Sequence, residues 1–202
     1  MNFLAHAFLS FNRPEILVGN MISDFVKGKE KYDYPDAILM GINLHRTIDA
    51  FTDSHPATKA AAKLLKPAAG PYAGAFVDIV YDHFLANDYL QFINENALQD
   101  FASNTYFTLT PFVPLMPEKF AAMFPYMQSQ NWLFNYRLKS GTESSFGGLI
   151  RRAKYIEDSK ETYRLFEEKY ESLHECYQAF FPDVKAFTLE KLGKADAATA
   201  KI

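Results

Sequence analysis

Residues 36–53 read DAILMGINLHRTIDAFTD, and Ala37, Gly41, Leu44, Ile48 and Phe51 recur in steps of three and four. That is the period of a helix with one face turned to a core. Runs of strict apolar/polar alternation bounded by turn residues are hard to find elsewhere, so this helical period sets the fold class as all-α. Upstream, a short helix is expected over 3–10, then one that opens at Pro14 and stops at Gly28, followed by the charged loop GKEKYDYP. Downstream, Pro56 opens another helix, and KPAAGPYAG reads as a loop leading into a helix over 72–86. Asp88 caps a further segment, and the three prolines of PFVPLMPEKF place a loop between the front and rear halves. Helices are expected over 119–128, 131–139 and 144–156, with a long one over 158–181. A chain of 202 residues suits one core, so the expectation is a single-domain helical bundle over 1–190 with a frayed tail over 191–202.

The composition excludes several classes. With 49% hydrophobic and 22% charged residues the chain is not of the disordered type, and 19 Phe with 12 Tyr imply a core of large rings. A net charge of −3 does not mark the chain as a phosphate-backbone binder, so nucleic acid is not expected as the main partner. The single cysteine, Cys176, has no partner for an internal disulfide and fits a reducing compartment. The start, MNFLAHAFLSFNRPE, lacks a basic leader region and a small-residue cleavage site, and no apolar run reaches membrane-spanning length. A cytoplasmic location without a membrane partner is expected, and nothing in the sequence points to an oligomeric state.

The acids and histidines carry the chemical signal. His6, Asp24, His45, Asp49, Asp78, Asp82 and His83 all fall in the first half, in otherwise apolar segments. His45 and Asp49 are four apart and so lie one turn apart on one helix face, as do Asp78 and Asp82, with Asn20 and Asp24 repeating the spacing. A carboxylate on an apolar face needs a cation, a metal or several hydrogen bonds. Taken singly, each pair has an ordinary reading: a buried hydrogen-bonded pair at Asn20 and Asp24, an exposed salt bridge from Arg46 to Asp49, or a solvated face at Asp78 and Asp82. Taken together, one metal site accounts for all of them, and histidine with several carboxylates suits manganese, iron or magnesium more than a closed structural zinc. His55 and His174 read as surface residues.

At these residues the chain resembles a known family. MNFLAH, GNMISDFVKG, GINLHRTIDAFTDSHP and DIVYDHFL, with the looser QNWLFNYR and FGGLIRR, are similar to the acyl carrier protein phosphodiesterases over roughly residues 1–182. The resemblance implies an all-helical, irregular relative of the HD metal-dependent phosphohydrolases, here with Asp82-His83 in reversed order. It implies hydrolysis of the phosphodiester joining 4'-phosphopantetheine to a serine of holo acyl carrier protein, with a divalent metal, manganese first and magnesium or iron as alternatives. It makes Asp24, His45, Asp82 and His83 the foremost ligands or catalytic groups, and His6, Asp49 and Asp78 the next ligands. Acyl carrier proteins are acidic, so docking is expected on a basic patch drawn from Lys27, Lys29, Lys31, Arg46, Arg151, Arg152 and Lys154, with Arg46, Arg151 and Arg152 as substrate contacts. The fitting chemistry is attack on phosphorus by a metal-activated water. Two rival readings are a metal phosphohydrolase for a nucleotide or other small phosphodiester, and a non-catalytic helical module that binds the carrier protein.

Overall fold

A computed structural model describes residues 1–151 and 153–199. Arg152 therefore lies outside the described residues, as do 200–202 of the expected tail. Among the described residues there are eleven α-helices and no strand: α1 Phe3–Phe8, α2 Pro14–Ile22, α3 Asp36–Ser54, α4 Pro56–Ala69, α5 Ala73–Ala86, α6 Glu95–Leu109, α7 Glu118–Ser129, α8 Trp132–Asn135, α9 Lys139–Ile150, α10 Lys160–Glu168 and α11 Tyr170–Thr199. Together they form the all-α single domain that the periodicity implies.

The decisive helix, α3, buries Ile38, Gly41, Ile42, Leu44, His45, Ile48 and Thr52, so the buried stripe is centred slightly away from the expected one and Ala37 is exposed. Its main partner is α2, whose residues 16–22 are all buried. The two backbones approach through glycines: a Cβ added at Gly19 would lie 2.1 Å from the Ile38 carbonyl oxygen, and one at Gly41 2.4 Å from that of Ile16. α5 is apolar nearly all round, as a central helix must be, and packs against α4, α9 and α1. α11 closes the domain over α4, α3 and α5. The expected core of rings is present: Phe76 meets Phe146 edge-on with centroids 4.7 Å apart, and Tyr81 stacks on Phe180 at 5.0 Å.

Several boundaries differ from the sequence expectation. α2 stops at Ile22 and passes into a 3₁₀ turn over Ser23–Phe25, while Gly28, at φ +54°, opens a second such stretch over Gly28–Asp33. Pro67 lies inside α4, where a loop was expected, because Ala61, Leu65 and Ala69 anchor that face and a proline removes only one helix hydrogen bond. Gly70, also at φ +54°, ends the helix instead. The helix expected over 158–181 breaks at Lys169, and its second half runs through Pro182 on the buried rings Tyr177, Phe180 and Phe181. The segment expected to be capped by Asp88 is helix α6, which starts only at Glu95. Asp88 makes a local turn with the Leu90 amide (2.9 Å) and accepts the Tyr177 hydroxyl (2.9 Å), and it is Asn94 that caps α6 through the Ala97 amide (2.9 Å). His55 is a structural joint, with Nδ1 capping α4 at the Ala57 amide (3.2 Å) and Nε2 3.2 Å from Asp183 of α11. No helix among the described residues is long and apolar enough to cross a membrane.

The glycine crossing gives the first prediction. Gly19→Ala must push α2 off α3 and is expected to lower stability by about 1–3 kcal/mol, read as a drop in the urea midpoint. A midpoint equal to that of the unmodified protein would show that the two helices do not cross there.

Candidate active site

The crossing of α2 and α3 brings Asn20 against α1 and α3, and Asn20 sets the geometry of two histidines. Its amide nitrogen donates to the His6 carbonyl (2.8 Å) and to Ser10 Oγ (3.0 Å), which turns its side-chain oxygen toward His6 Nδ1 at 2.8 Å. Its backbone carbonyl lies 2.7 Å from His45 Nδ1. Both oxygens can only accept, so both Nδ1 atoms carry the hydrogen and donate. The two rings stack with centroids 3.9 Å apart and present their Nε2 atoms to the same place.

What meets them there is carboxylate. Asp49 Oδ1 is 3.2 Å from His6 Nε2, Asp49 Oδ2 is 3.0 Å from His45 Nε2, and Asp24 Oδ1 reaches the same His45 nitrogen at 3.0 Å from an exposed position on the rim. The i, i+4 spacing on α3 therefore places His45 and Asp49 on one face as expected. His6 Nε2 is buried without a well-formed hydrogen bond. A neutral imidazole lone pair facing a carboxylate oxygen leaves room in the arrangement for a cation between them. Nitrogen and oxygen atoms of His6, His45 and Asp49 lie within 4.8 Å of one another, a set that could hold a divalent ion, with Asp24 within reach as a further ligand. The Asn20 contacts are the outer-shell bonds that such histidines need.

The electrostatics follow from this crowding. Burial would lower His45, but Asp24 and Asp49 overrule it and raise it to about 9. Burial, with help from the neighbouring His45 charge, lowers His6 to about 4. Without a metal, a proton on His45 Nε2 thus links the two carboxylates while His6 stays neutral. Burial would raise Asp49, but the His45 proton and the terminal ammonium hold it well below the usual carboxylate range. The bond to His45 likewise lowers Asp24.

A cation invisible in a side-chain inventory completes the cluster. The buried α-ammonium of Met1 lies 2.9 Å from Asp78 Oδ1 and 3.4 Å from Asp49 Oδ1, and these carboxylates raise it to about 11 against the effect of burial. The cation expected beside Asp78 is therefore the chain's own first amine. Asp82 is brought close but is already engaged: its carboxylate accepts the Leu4 amide (2.7 Å) and the Ala5 amide (3.1 Å), capping α1 from a neighbouring helix. Full burial raises it to about 7 despite those two bonds.

His83 is not brought to the cluster. Its Nδ1 lies 2.7 Å from the Tyr136 carbonyl and its Nε2 2.9 Å from the Tyr170 hydroxyl, among the rings of Phe84 and Phe166. Neighbouring residues on a helix point about 100° apart, and Asp82 and His83 serve different sides of α5. Arg46 does not pair with Asp49. Its Nη2 donates to the Val26 carbonyl (3.0 Å) and braces the turn that carries Asp24. Arg151 lines a cavity described below, and Arg152 lies outside the described residues.

An all-helical domain that gathers two imidazoles with fixed tautomers and two carboxylates at one opening has the parts of a metal-dependent hydrolase. The comparisons with known proteins give the family. The family model for acyl carrier protein phosphodiesterase matches residues 1–184, and this chain belongs to that family of enzymes. It is 30% identical over 184 residues to an acyl carrier protein phosphodiesterase of Klebsiella pneumoniae subsp. pneumoniae, covering 91% of this chain and 95% of that one. It is 28% identical over 191 residues to that of Salmonella agona, covering 95% and 99%, and 29% identical over 182 residues to that of Yersinia pestis, covering 90% and 94%. No solved structure gives a significant match.

The raised His45 value gives a signed pH dependence for the metal-free protein. Stability that comes from its proton is fully present below 6.5, the ordinary value, and is lost as pH rises through about 9. The Met1 amine adds a loss of the same sign between 8.0 and about 11. With chelator present, the melting temperature should fall from pH 7 to pH 8, and His45→Gln should flatten that interval. An equally steep fall in the variant would assign the titration to another group.

Proposed function

We propose that this protein hydrolyses the phosphodiester joining 4'-phosphopantetheine to a serine of holo acyl carrier protein, with a divalent metal, manganese foremost, held by His6, His45 and Asp49 and completed by Asp24. The observation that carries the metal is the pair of imidazoles whose Nδ1 atoms are both committed to Asn20, leaving both Nε2 atoms facing Asp49. The substrate rests on membership of the family and on relatives named for it.

A bound divalent ion would polarise the phosphoryl oxygen and lower the pKa of a coordinated water. The chain's own groups do the rest. Asn20 holds both rings with Nε2 outward, so neither needs to reorganise when the phosphodiester arrives. Asp24 stays ionised on the exposed rim, where it can complete the ligand set beside His45. The buried Met1 ammonium and the half-buried Asp78 pair behind Asp49 and fix where that carboxylate points. Lys27 and Lys29 are exposed on the turn after Asp24, and Arg46 braces that turn, so positive charge borders the opening where an acidic carrier protein would settle. Asp82 acts by holding α1, and with it His6, in place.

Intact-mass spectrometry of holo acyl carrier protein, incubated with this protein and manganese or with chelator, tests the reading. A manganese-dependent loss of the prosthetic-group mass is expected, absent in His6→Ala and His45→Ala. His83→Gln should stay within a few-fold of the unmodified protein. An unchanged carrier mass with folded, metal-loaded protein would move the substrate to a nucleotide or other small phosphodiester, and an inactive but folded, metal-binding His83→Gln would put His83 in the chemistry.

A further inference from the structure

A cavity of about 460 Å³ adjoins the cluster and is used by nothing described above. Its size falls within the range of small-molecule sites, about 300–1,000 Å³. Three lining residues are chain neighbours of the cluster: Asn2 follows Met1, Phe25 follows Asp24 and Ile79 follows Asp78. From there it runs along α9, where Gly141, Ser145, Gly148 and Arg151 line it in steps of four, three and three. The ten residue steps from Gly141 to Arg151 span about 15 Å. The cavity thus extends from chain neighbours of the cluster along α9, and mixes rings such as Phe25 and Trp132 with hydroxyl and amide side chains and one guanidinium.

We infer that this cavity receives the pantetheine arm of the substrate, an extended amide-bearing chain with a phosphate at its head. The inference rests on the proposed function and adds to it where each half of the substrate goes. Two branches leave the phosphate. One is a folded protein, which fits only the open rim where Asp24, Lys27 and Lys29 are exposed. The other is a thin chain, and the cavity lined by Asn2 and Phe25 has the volume and the mixed lining to take it. The amides of the arm meet Asn2 and Ser145, and its branched methyl groups meet Phe25 and Trp132. Gly148 leaves the channel open: a Cβ built there meets a single atom within 4 Å, an Arg151 nitrogen at 3.6 Å, so a larger side chain would enter the cavity without disturbing the helix packing.

Trp132 is the single tryptophan of the chain, so its fluorescence reports on the cavity directly. Titrating the metal-free full chain with 4'-phosphopantetheine should give a saturable change that inorganic phosphate does not reproduce. In Gly148→Leu, checked for fold by circular dichroism, the midpoint should rise at least tenfold, and with manganese the KM for holo acyl carrier protein should rise by a similar factor. Ser145→Val serves as a second variant if the first does not fold. An unshifted midpoint in a folded variant, or the same response to phosphate alone, would overturn the assignment, as would no response in the unmodified protein. Failure of the reaction reading looks different: the unmodified protein with manganese would hydrolyse bis(4-nitrophenyl) phosphate but leave holo acyl carrier protein intact. The fluorescence titration would still decide the cavity.

Discussion

Asn20 is the residue on which the site depends. It is fully buried, and it spends its backbone carbonyl on His45, its side-chain oxygen on His6 and its amide nitrogen on the His6 carbonyl and Ser10. One residue therefore sets the tautomer of two histidines contributed by two other helices. This is possible only because Gly19, next to it, lets α2 and α3 approach to backbone contact. With a side chain at Gly19 the carbonyl of Asn20 would move away from His45, and a donor bond of 2.7 Å tolerates little of that. The packing of two helices and the chemistry of two imidazoles thus come from one pair of adjacent residues.

The first six residues supply a disproportionate share of the rest. α1 is too short to be stable alone, and it is held by Asp82, whose buried carboxylate accepts two of its unpaired amides. That anchoring puts the Met1 ammonium against Asp78 and Asp49, and His6 over His45. A buried ammonium and partly buried carboxylates would each be costly alone, and close pairing offsets much of that desolvation. The cluster is consequently a single electrostatic unit, with Asp49 as the carboxylate shared by the amine and both rings.

Much of this was legible in the sequence, and the parts that were not have physical reasons. The helical period of residues 36–53 gave the fold class, and the i, i+4 spacing of His45 and Asp49 gave the heart of the cluster, because both follow from helix geometry alone. Asn20 was visible only as a neighbour of Asp24. Its true partners are brought by tertiary packing, which spacing along one helix does not encode. The Met1 amine was hidden for a simpler reason, since a side-chain inventory leaves out the backbone terminus. The extent of α4 past Pro67 and of α11 past Pro182 was missed because burial of ring and aliphatic faces outweighed a local breaker.

Asp82 and His83 show where a motif ends and geometry begins. As a pair they look like a metal-binding dipeptide, and a reversed order suggests only that the ligands exchange places. On a regular helix, however, consecutive side chains diverge by about 100°, and here the two turn to different partners. α5 is continuous from Ala73 to Ala86 and buried on nearly every side. Each residue therefore satisfies its own surroundings, Asp82 the amides of α1 and His83 the Tyr136 carbonyl and Tyr170 hydroxyl. Asp82 braces the helix that carries His6, while His83 ties α5 to Tyr136 and Tyr170 on its other side. The dipeptide contributes to the cluster by fixing elements around it, while the side chains that meet at one point are His6, His45 and Asp49, which come from two helices whose faces converge.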